Sequence, residues 1–598
     1  MTLFSSYLDR RPELRGGLRL ALAAHRMLPI ASLNPAKRVE DWARRTPENL
    51  ALAYRGERYS WREYNDRANR YAGWFLEQGI GAGDVVALLM DNRPDFLFVV
   101  MGLNKIGAAS ALINTNLTGR ALLHAMRASR AKKLLAGSEH LPKLDGVLEE
   151  LPSLSAQRDL YVQCDGSEGT EGAGGAGRVI DDEVAAASSA ERSGSHRPRA
   201  SEHCCYIYTS GTTGLPKAAV IRNQRVLAVG SLFGHLMFQS NRDDVIYVPL
   251  PLYHSSGIFL GVGSSLATGA AVALRRKFSA SNFSKDVRDF GATGFLYIGE
   301  ICRYLMNTPV QKGERDHRLR VAVGNGLRPD IWEAFQERFG VPVVREFYGA
   351  TEGIAVTLNT QGRPGMMGRM LPGQALLRCN RESGEPIRNA AGFCERVKPG
   401  EVGLLVSRLS GVLPFDGYVD RQATQKRILH DVFKRGDRYF DTSDLIELHE
   451  GRWLSFVDRI GDTFRWKGEN VSTNEVAETL SGAEGLLEAN VYGVRVPGTE
   501  GRAGMAALKV TADFDLEGFA AFVMEKLPGY QRPLFIRLLE GEMRATSTFK
   551  QQKVDYRKEG FDPSAMHDPL YLLSGGCYLP IDADLFASIG RSGDVVKC

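Results

Sequence analysis

Seven residues close to one another in the chain, Thr209, Ser210, Gly211, Thr212, Thr213, Gly214 and Lys217, bring hydroxyls, glycine amides and an ammonium group together behind the apolar run "YIY". Such a set suits a phosphate. Successive backbone N–H groups and side-chain hydroxyls make a concave donor surface, and the lysine adds charge. The common nucleotide loop GxxxxGK[ST] is disfavoured, because Pro216 precedes Lys217 where that loop needs glycine and Ala218 follows where it needs a hydroxyl. A plain Gly/Ser hairpin turn is the bland alternative, and the density of hydroxyls makes it the poorer one.

Further candidates stand downstream: His254 in "PLPLYHSSG", Gly324, Asn325 and Gly326 in "GNGLRP", and Tyr348, Thr351 and Glu352 in "FYGATEG". Asp444 in "FDTSDL", Arg459 in "DRIGD" and Lys550 in "ATSTFKQQK" complete the set. Singly, each has an ordinary structural explanation. Glu352 reads as a solvated charge, His254 as a hydrogen-bonded core residue, Asp444 as a helix N-cap and Lys550 as surface charge.

The elements that must position these residues follow from periodicity. "DVVALLMDN" reads as a buried strand and "PDFLFVVMGLNKIGA" as the helix after it. Strand-like runs recur at "AKKLLAG", "DVIYVPLPL", "TGFLYIG", "LRVAVGNG" and "VPVVREFYG", with helical stretches between several of them. That alternation predicts an α/β fold on mostly parallel sheets with flanking helices. Ligands of such sheets gather at the carboxyl ends of strands.

A chain of 598 residues calls for two or more domains. The segments expected are a leader at 1–46, a large N-terminal domain at 47–458, a small α+β C-terminal domain at 459–560 and an irregular tail at 561–598. Residues 166–202, rich in Gly, Ser and Ala, read as a flexible insertion. Net charge is a mild +5, with no clustered basic and aromatic surface of the kind nucleic acid requires. The eight cysteines show no CxxC spacing, a pattern that fits reduced thiols and a cytoplasmic setting. The leader lacks the features of a secretory signal. It places Leu14, Leu18, Ala21, Leu22 and Leu28 on one helical face beside a stripe of Arg15, Arg19 and Arg26. It therefore reads either as a helix packed on its own domain or as a peripheral anchor on the inner membrane face.

In their order along the chain, these motifs resemble the acyl-adenylate-forming superfamily of acyl-CoA synthetases, luciferases and adenylation domains. The resemblance runs from about Pro47 to Gly560. "FLYIGEICRYL", "FDTSDL" and "DRIGDTFRWKGENVSTNEV" are most similar to the fatty-acid-transport-protein / very-long-chain acyl-CoA synthetase group. The resemblance implies that the loop from Thr209 to Lys217 binds phosphate, that Gly324 to Gly326 lie beside adenine and that Tyr348 packs against it. It also implies Thr351 on phosphate, Glu352 on Mg²⁺, Asp444 on the ribose, Arg459 on nucleotide or pyrophosphate, His254 near the acyl pocket and Lys550 as the mobile catalytic lysine. ATP, Mg²⁺ and coenzyme A are the implied cofactors and co-substrates, and a long- or very-long-chain fatty acid is the implied substrate. A rotation of the C-terminal domain near Gly461 is expected to exchange Lys550 for the "RWKGEN" loop. Two positions depart from the group's usual pattern: Gly461 stands where Asp or Lys is common, and Phe549 where Gly is common. Alternatives within the same chemistry are an acyl-AMP ligase serving a carrier protein and a ligase for steroid-type acids. A membrane-associated fatty-acid uptake protein with secondary catalysis is the alternative from another class.

Overall fold

The computed structural model describes residues 32–592 except 152–153, 166–176, 192–196, 211–215, 351–353, 381–383, 410–414, 461, 467–468, 498, 500 and 545–551. The chain divides into two compact units, one of residues 1–364 and 410–426, the other of residues 365–409 and 427–598.

The first unit holds two sheets. In the seven-stranded sheet the order is Arg178–Val179, Leu160–Gln163, Lys133–Gly137, Val85–Leu89, Ala109–Leu112, His203–Ser210 and Pro216–Arg222. All neighbours are parallel except the last pair. The eight-stranded sheet runs Val356–Asn359, Val344–Gly349, Val321–Asn325, Gly294–Ile298, Val245–Val248, Ala271–Leu274, Leu50–Tyr54 and Glu57–Ser60. Its interior is parallel and an antiparallel pair closes each edge. The expected α/β fold on largely parallel sheets is what forms. Every residue of Val85–Leu89 is buried, as a strand covered on both faces must be.

Local chemistry sets the helix ends. Ser60 and Glu63 cap Trp61–Glu77 reciprocally, each side chain bonding the other's backbone N–H, and Pro94 opens Pro94–Lys105. A buried charge network lies beyond the carboxyl ends of Val85–Leu89 and Lys133–Gly137. Arg93 Nη1 donates to both oxygens of Glu139 at 2.9 Å, and Arg276 donates to Asp91 at 3.2 Å and to Asp165 at 2.8 Å. Burial works against the charge on Asp91, but His140 at 3.1 Å and Arg276 outweigh it and hold the carboxyl well below its usual range. Because Arg276 follows Ala271–Leu274, the network joins the two sheets at the carboxyl ends of their strands.

Part of the insertion is built into the fold. Arg178–Val179 adds an edge strand, and Asp181–Ala186 is a helix with Val184 buried. Trp74 donates to Glu183 at 2.8 Å, Asn69 to the Ser189 carbonyl at 2.8 Å and Arg70 to the Ala187 carbonyl at 2.9 Å. Ile180 and Val184, within a Gly- and Ser-rich stretch, supply the burial that average composition concealed.

The second unit is mostly antiparallel. Gly368–Arg369, Trp453–Arg459, Arg438–Leu448, Val402–Arg408 and Gln374–Leu377 form one sheet, with Ile428–His430 also pairing to Arg438–Leu448. A short hairpin joins Phe464–Trp466 to Glu469–Val471. A five-stranded sheet follows, ordered Leu486–Val494, Ala503–Val510, Phe535–Leu538, Leu570–Ser574 and Cys577–Pro580. Its last two strands lie where the sequence reading placed an irregular tail. Leu570, Leu572 and Tyr578 from that stretch are buried in the same core as Val491, Met505 and Phe535.

Candidate functional site

Within the first unit, the phosphate-loop candidates sit at a hairpin. His203–Ser210 and Pro216–Arg222 pair antiparallel with Thr209 opposite Lys217 and Ser210 opposite Pro216. Gly211, Thr212, Thr213 and Gly214 lie in the connection, outside the described residues. The hairpin is held from two sides. His203–Ser210 pairs with the buried strand Ala109–Leu112, and Ala219 bridges to Tyr418. The Lys217 ammonium lies 5.9 Å from the centre of the Tyr418 ring, within cation–π range.

Gly324 and Asn325 end the strand Val321–Asn325, and the chain turns at Gly326, whose φ is +80°. Only glycine fits at 324, because a Cβ there would stand 2.3 Å from the Tyr297 carbonyl oxygen. Behind this turn lies Glu346, which sequence reasoning did not single out. Its Oε1 accepts from the Leu327 N–H at 2.6 Å and from the Tyr297 hydroxyl at 3.1 Å. Tyr348 follows on the same strand, Val344–Gly349, and therefore on the same face. The period of two could have marked Glu346 as its partner. Thr351 and Glu352 come just after this strand, outside the described residues.

His254 is half-buried and introduces a π-helical segment, Ser256–Val262, that continues as the helix Gly263–Thr268. Its ring centre lies 4.8 Å from that of Tyr253. A second unpredicted residue, Asn92, fixes the segment leading to it. Asn92 Nδ2 donates to the Leu250 carbonyl at 2.9 Å, and its Oδ1 accepts from the Leu252 N–H at 2.7 Å. Short π-helical stretches interrupt regular helices frequently at functional sites.

In the second unit, Asp444 and Arg459 face each other across Arg438–Leu448 and Trp453–Arg459. Arg459 Nε donates to Asp444 Oδ1 at 2.9 Å, and the carboxylate is buried while the guanidinium is largely exposed. Ser443 just before it adopts φ +59°, and the pairing with Val402–Arg408 slips between Leu404 and Val406. A bulge of this kind re-aims the next side chain.

Lys550 lies outside the described residues, but both ends of its segment are anchored. The Gln552 N–H donates to the Arg544 carbonyl at 2.9 Å, and Asn490 Nδ2 donates to the Gln552 carbonyl at 3.0 Å. Lys553 donates from Nζ to Thr473 Oγ1 at 2.5 Å, and Thr473 in turn donates from Oγ1 to Asp458 Oδ2 at 2.9 Å. Burial pushes the Lys553 ammonium below its ordinary pKa, against the pull of Asp458 and Asp462. Gly461 is outside the described residues, as are residues 1–31 with the amphipathic face of the leader. Lys217, Gly324 to Gly326, Tyr348 and His254 thus belong to the first unit, and Asp444 and Arg459 to the second.

Residues 39–419 match the family described as AMP-binding enzyme. The chain is 42% identical to long-chain fatty acid transport protein 6 of Mus musculus, over 91% of this chain and 88% of the relative. It is also 42% identical to long-chain fatty acid transport protein 1 of Homo sapiens, over 91% and 85% respectively. Among solved structures, an anthranilate CoA ligase in complex with anthranoyl-AMP matches with a TM-score of 0.74 and 21% identity, covering 88% of this chain and 97% of that one. A fatty acyl CoA synthetase of Mycobacterium tuberculosis matches with a TM-score of 0.61 and 20% identity, covering 88% and 98%. At those identities the structural likeness establishes the fold.

Proposed function

The chain belongs to the AMP-binding enzyme family, and from that premise we propose that it activates long- or very-long-chain fatty acids with ATP and passes them to coenzyme A. The fatty acid carboxylate attacks the α-phosphorus of ATP, giving acyl-AMP and pyrophosphate. The thiol of coenzyme A then attacks the acyl carbon, and AMP leaves with the bonding pair. The observation that carries the choice of acid is the likeness to long-chain fatty acid transport proteins along nine-tenths of the chain.

Each residue then has work suited to its chemistry. The hairpin connection, with Thr209, Ser210, Thr212, Thr213 and Lys217, cradles the phosphates. Tyr348 and the turn at Gly324 to Gly326 hold the base, and Asp444 accepts from the ribose hydroxyls. Arg459, exposed at its charged end, reaches phosphate. Thr351 and Lys550 supply donors where negative charge builds on the α-phosphate, and Lys550 bridges it to the acid. Magnesium takes hard oxygen ligands, and Glu352 and Thr351, consecutive in the sequence after Val344–Gly349, are a carboxylate and a hydroxyl of that kind. When bound there, Mg²⁺ supplies neutralising charge to the phosphate oxygens. His254 serves beside the acyl pocket, with the segment from Gly257 to Leu266 as its wall.

The test is thioester formation by the purified chain with ATP, Mg²⁺, coenzyme A and acids of graded length. A long- or very-long-chain optimum, reduced about 10²–10³-fold in Lys550→Ala, is expected. Acid-dependent ATP–pyrophosphate exchange without thioester would instead assign an acyl-AMP ligase, and faster turnover of steroid acids would move the substrate class. Uptake, the role carried in the relatives' names, follows from the same chemistry because the thioester is trapped where it forms. Full uptake by cells carrying Lys550→Ala would refute that link. Among the described residues no helix is long and apolar enough to cross a membrane. Pro35–Arg45 is a helix packed into the first unit, with Ala36 and Val39 buried. The part of the leader suited to an anionic membrane surface is therefore the face of Leu14 to Leu28 beside Arg15, Arg19 and Arg26, and vesicle co-sedimentation with and without residues 1–31 tests it.

A further inference from the structure

Glu346 deepens the nucleotide reading, on which this inference rests. We propose that Glu346 is a positioning residue for nucleotide binding: its carboxyl group fixes the turn from Asn325 to Leu327 against the strand that carries Tyr348.

The geometry is closed on three sides. One oxygen of Glu346 takes both the Leu327 N–H, at 2.6 Å, and the Tyr297 hydroxyl, at 3.1 Å, so the strands Val344–Gly349 and Gly294–Ile298 and the turn after Val321–Asn325 meet at a single atom. The turn has no slack to find another arrangement. A Cβ on Gly299 would stand 1.7 Å from the Gly326 carbonyl oxygen, and one on Gly324 would strike Tyr297. Tyr348 leaves the same sheet face two residues after Glu346, so the side chain that fixes the turn and the ring that would cover the base are set by one strand.

The environment selects the protonation state. Glu346 is 5% exposed, and no cation partners it among the described residues. Burial pushes its pKa up to about 8, against the downward pull of the Leu327 and Tyr297 hydrogen bonds. The titratable groups facing it are Tyr297 on Gly294–Ile298 and Cys302 on Gly299–Met306, and burial pushes both well above their ordinary values. Glu346 alone in this cluster changes charge near neutrality. Below pH 8 it is a neutral acid whose carbonyl oxygen accepts both bonds, and above it becomes a buried anion with no counter-charge among the described residues.

The test reads ATP affinity directly, by calorimetry on the full chain, beside acid-dependent pyrophosphate exchange. Glu346→Ala is expected to weaken ATP binding about tenfold at pH 7, the worth of one buried hydrogen bond. Glu346→Gln keeps the acceptor and cannot ionise. It should bind ATP within about twofold of wild type at pH 7 and lack the weakening that wild type shows above pH 8. Unchanged ATP affinity in Glu346→Ala, or an alkaline weakening in Glu346→Gln equal to that of wild type, would overturn the proposal. Should Glu346→Ala fail to fold, the pH profiles of wild type and Glu346→Gln decide alone. Wild type that binds no ATP overturns both readings. Wild type that binds ATP but exchanges no pyrophosphate removes only the fatty-acid reading, and the same affinities still judge Glu346.

Discussion

Asp444 shows how much one side chain depends on its surroundings. After Ser443 it reads as a helix cap, yet it lies within Arg438–Leu448 and is bonded across the sheet to Arg459. Replacing it with alanine removes a buried charge-assisted acceptor and leaves Arg459 without that carboxylate. ATP affinity should fall at least tenfold, which binding calorimetry would register. Glu346 gives a second expectation, on stability. Its pKa rises from 4.5 toward 8 on folding, so between those values the folded chain holds a proton that the unfolded chain has lost. Stability therefore falls as pH climbs through that window and levels off above it. Urea midpoints measured from pH 5 to 9 should decline less in Glu346→Gln than in wild type. The candidate residues were legible as types in an ordered series of motifs. Glu346 was not, because its importance lies in bonds to Tyr297 and Leu327, one of them formed across 49 residues of chain.

Elements place those residues, and their tolerances can be tested. At the end of Val321–Asn325, Gly324→Ala would press a Cβ against a backbone carbonyl, which cannot rotate aside as a flexible side chain can. A loss of about 2 kcal/mol and poorer ATP binding are expected from overpacking there. Asp458 accepts the Thr473 N–H at 2.7 Å as well as its hydroxyl, so it satisfies the first N–H of the helix Thr473–Leu480, which Ser472 caps, and supports Lys553 through Thr473. Asp458→Ala strands those donors and should cost the second unit about 2 kcal/mol, seen as an earlier transition in a urea titration of the full chain. The parallel strands were readable from their apolar runs. Leu570–Ser574 and Cys577–Pro580 were missed although Gly575 and Gly576 between them, with φ of +59° and +86°, form the two-residue turn that a Gly-Gly pair signals. Composition averaged over the whole tail hid a hairpin of two short strands. The link from Asp458 through Thr473 to Lys553 has no periodicity to betray it, since it joins positions 15 and 80 residues apart.

At the scale of the whole chain, the turn at Gly324 to Gly326 and the hairpin of His203–Ser210 and Pro216–Arg222 belong to one unit, and Asp444, Arg459 and residues 545–551 to the other. The anchoring of that segment limits how Lys550 can travel. Gln552, two residues beyond it, is bonded on both sides of its peptide, to Arg544 and to Asn490 in the five-stranded sheet. Two residues of extended chain span only about 7 Å. Lys550 is thus tethered like the tip of a short arm on a heavy wheel. A displacement beyond that arm's length would have to carry the sheet with it, against the viscous drag of solvent on a whole folded body. A cross-link that immobilises the second unit should therefore arrest Lys550 as completely as one placed within residues 545–551.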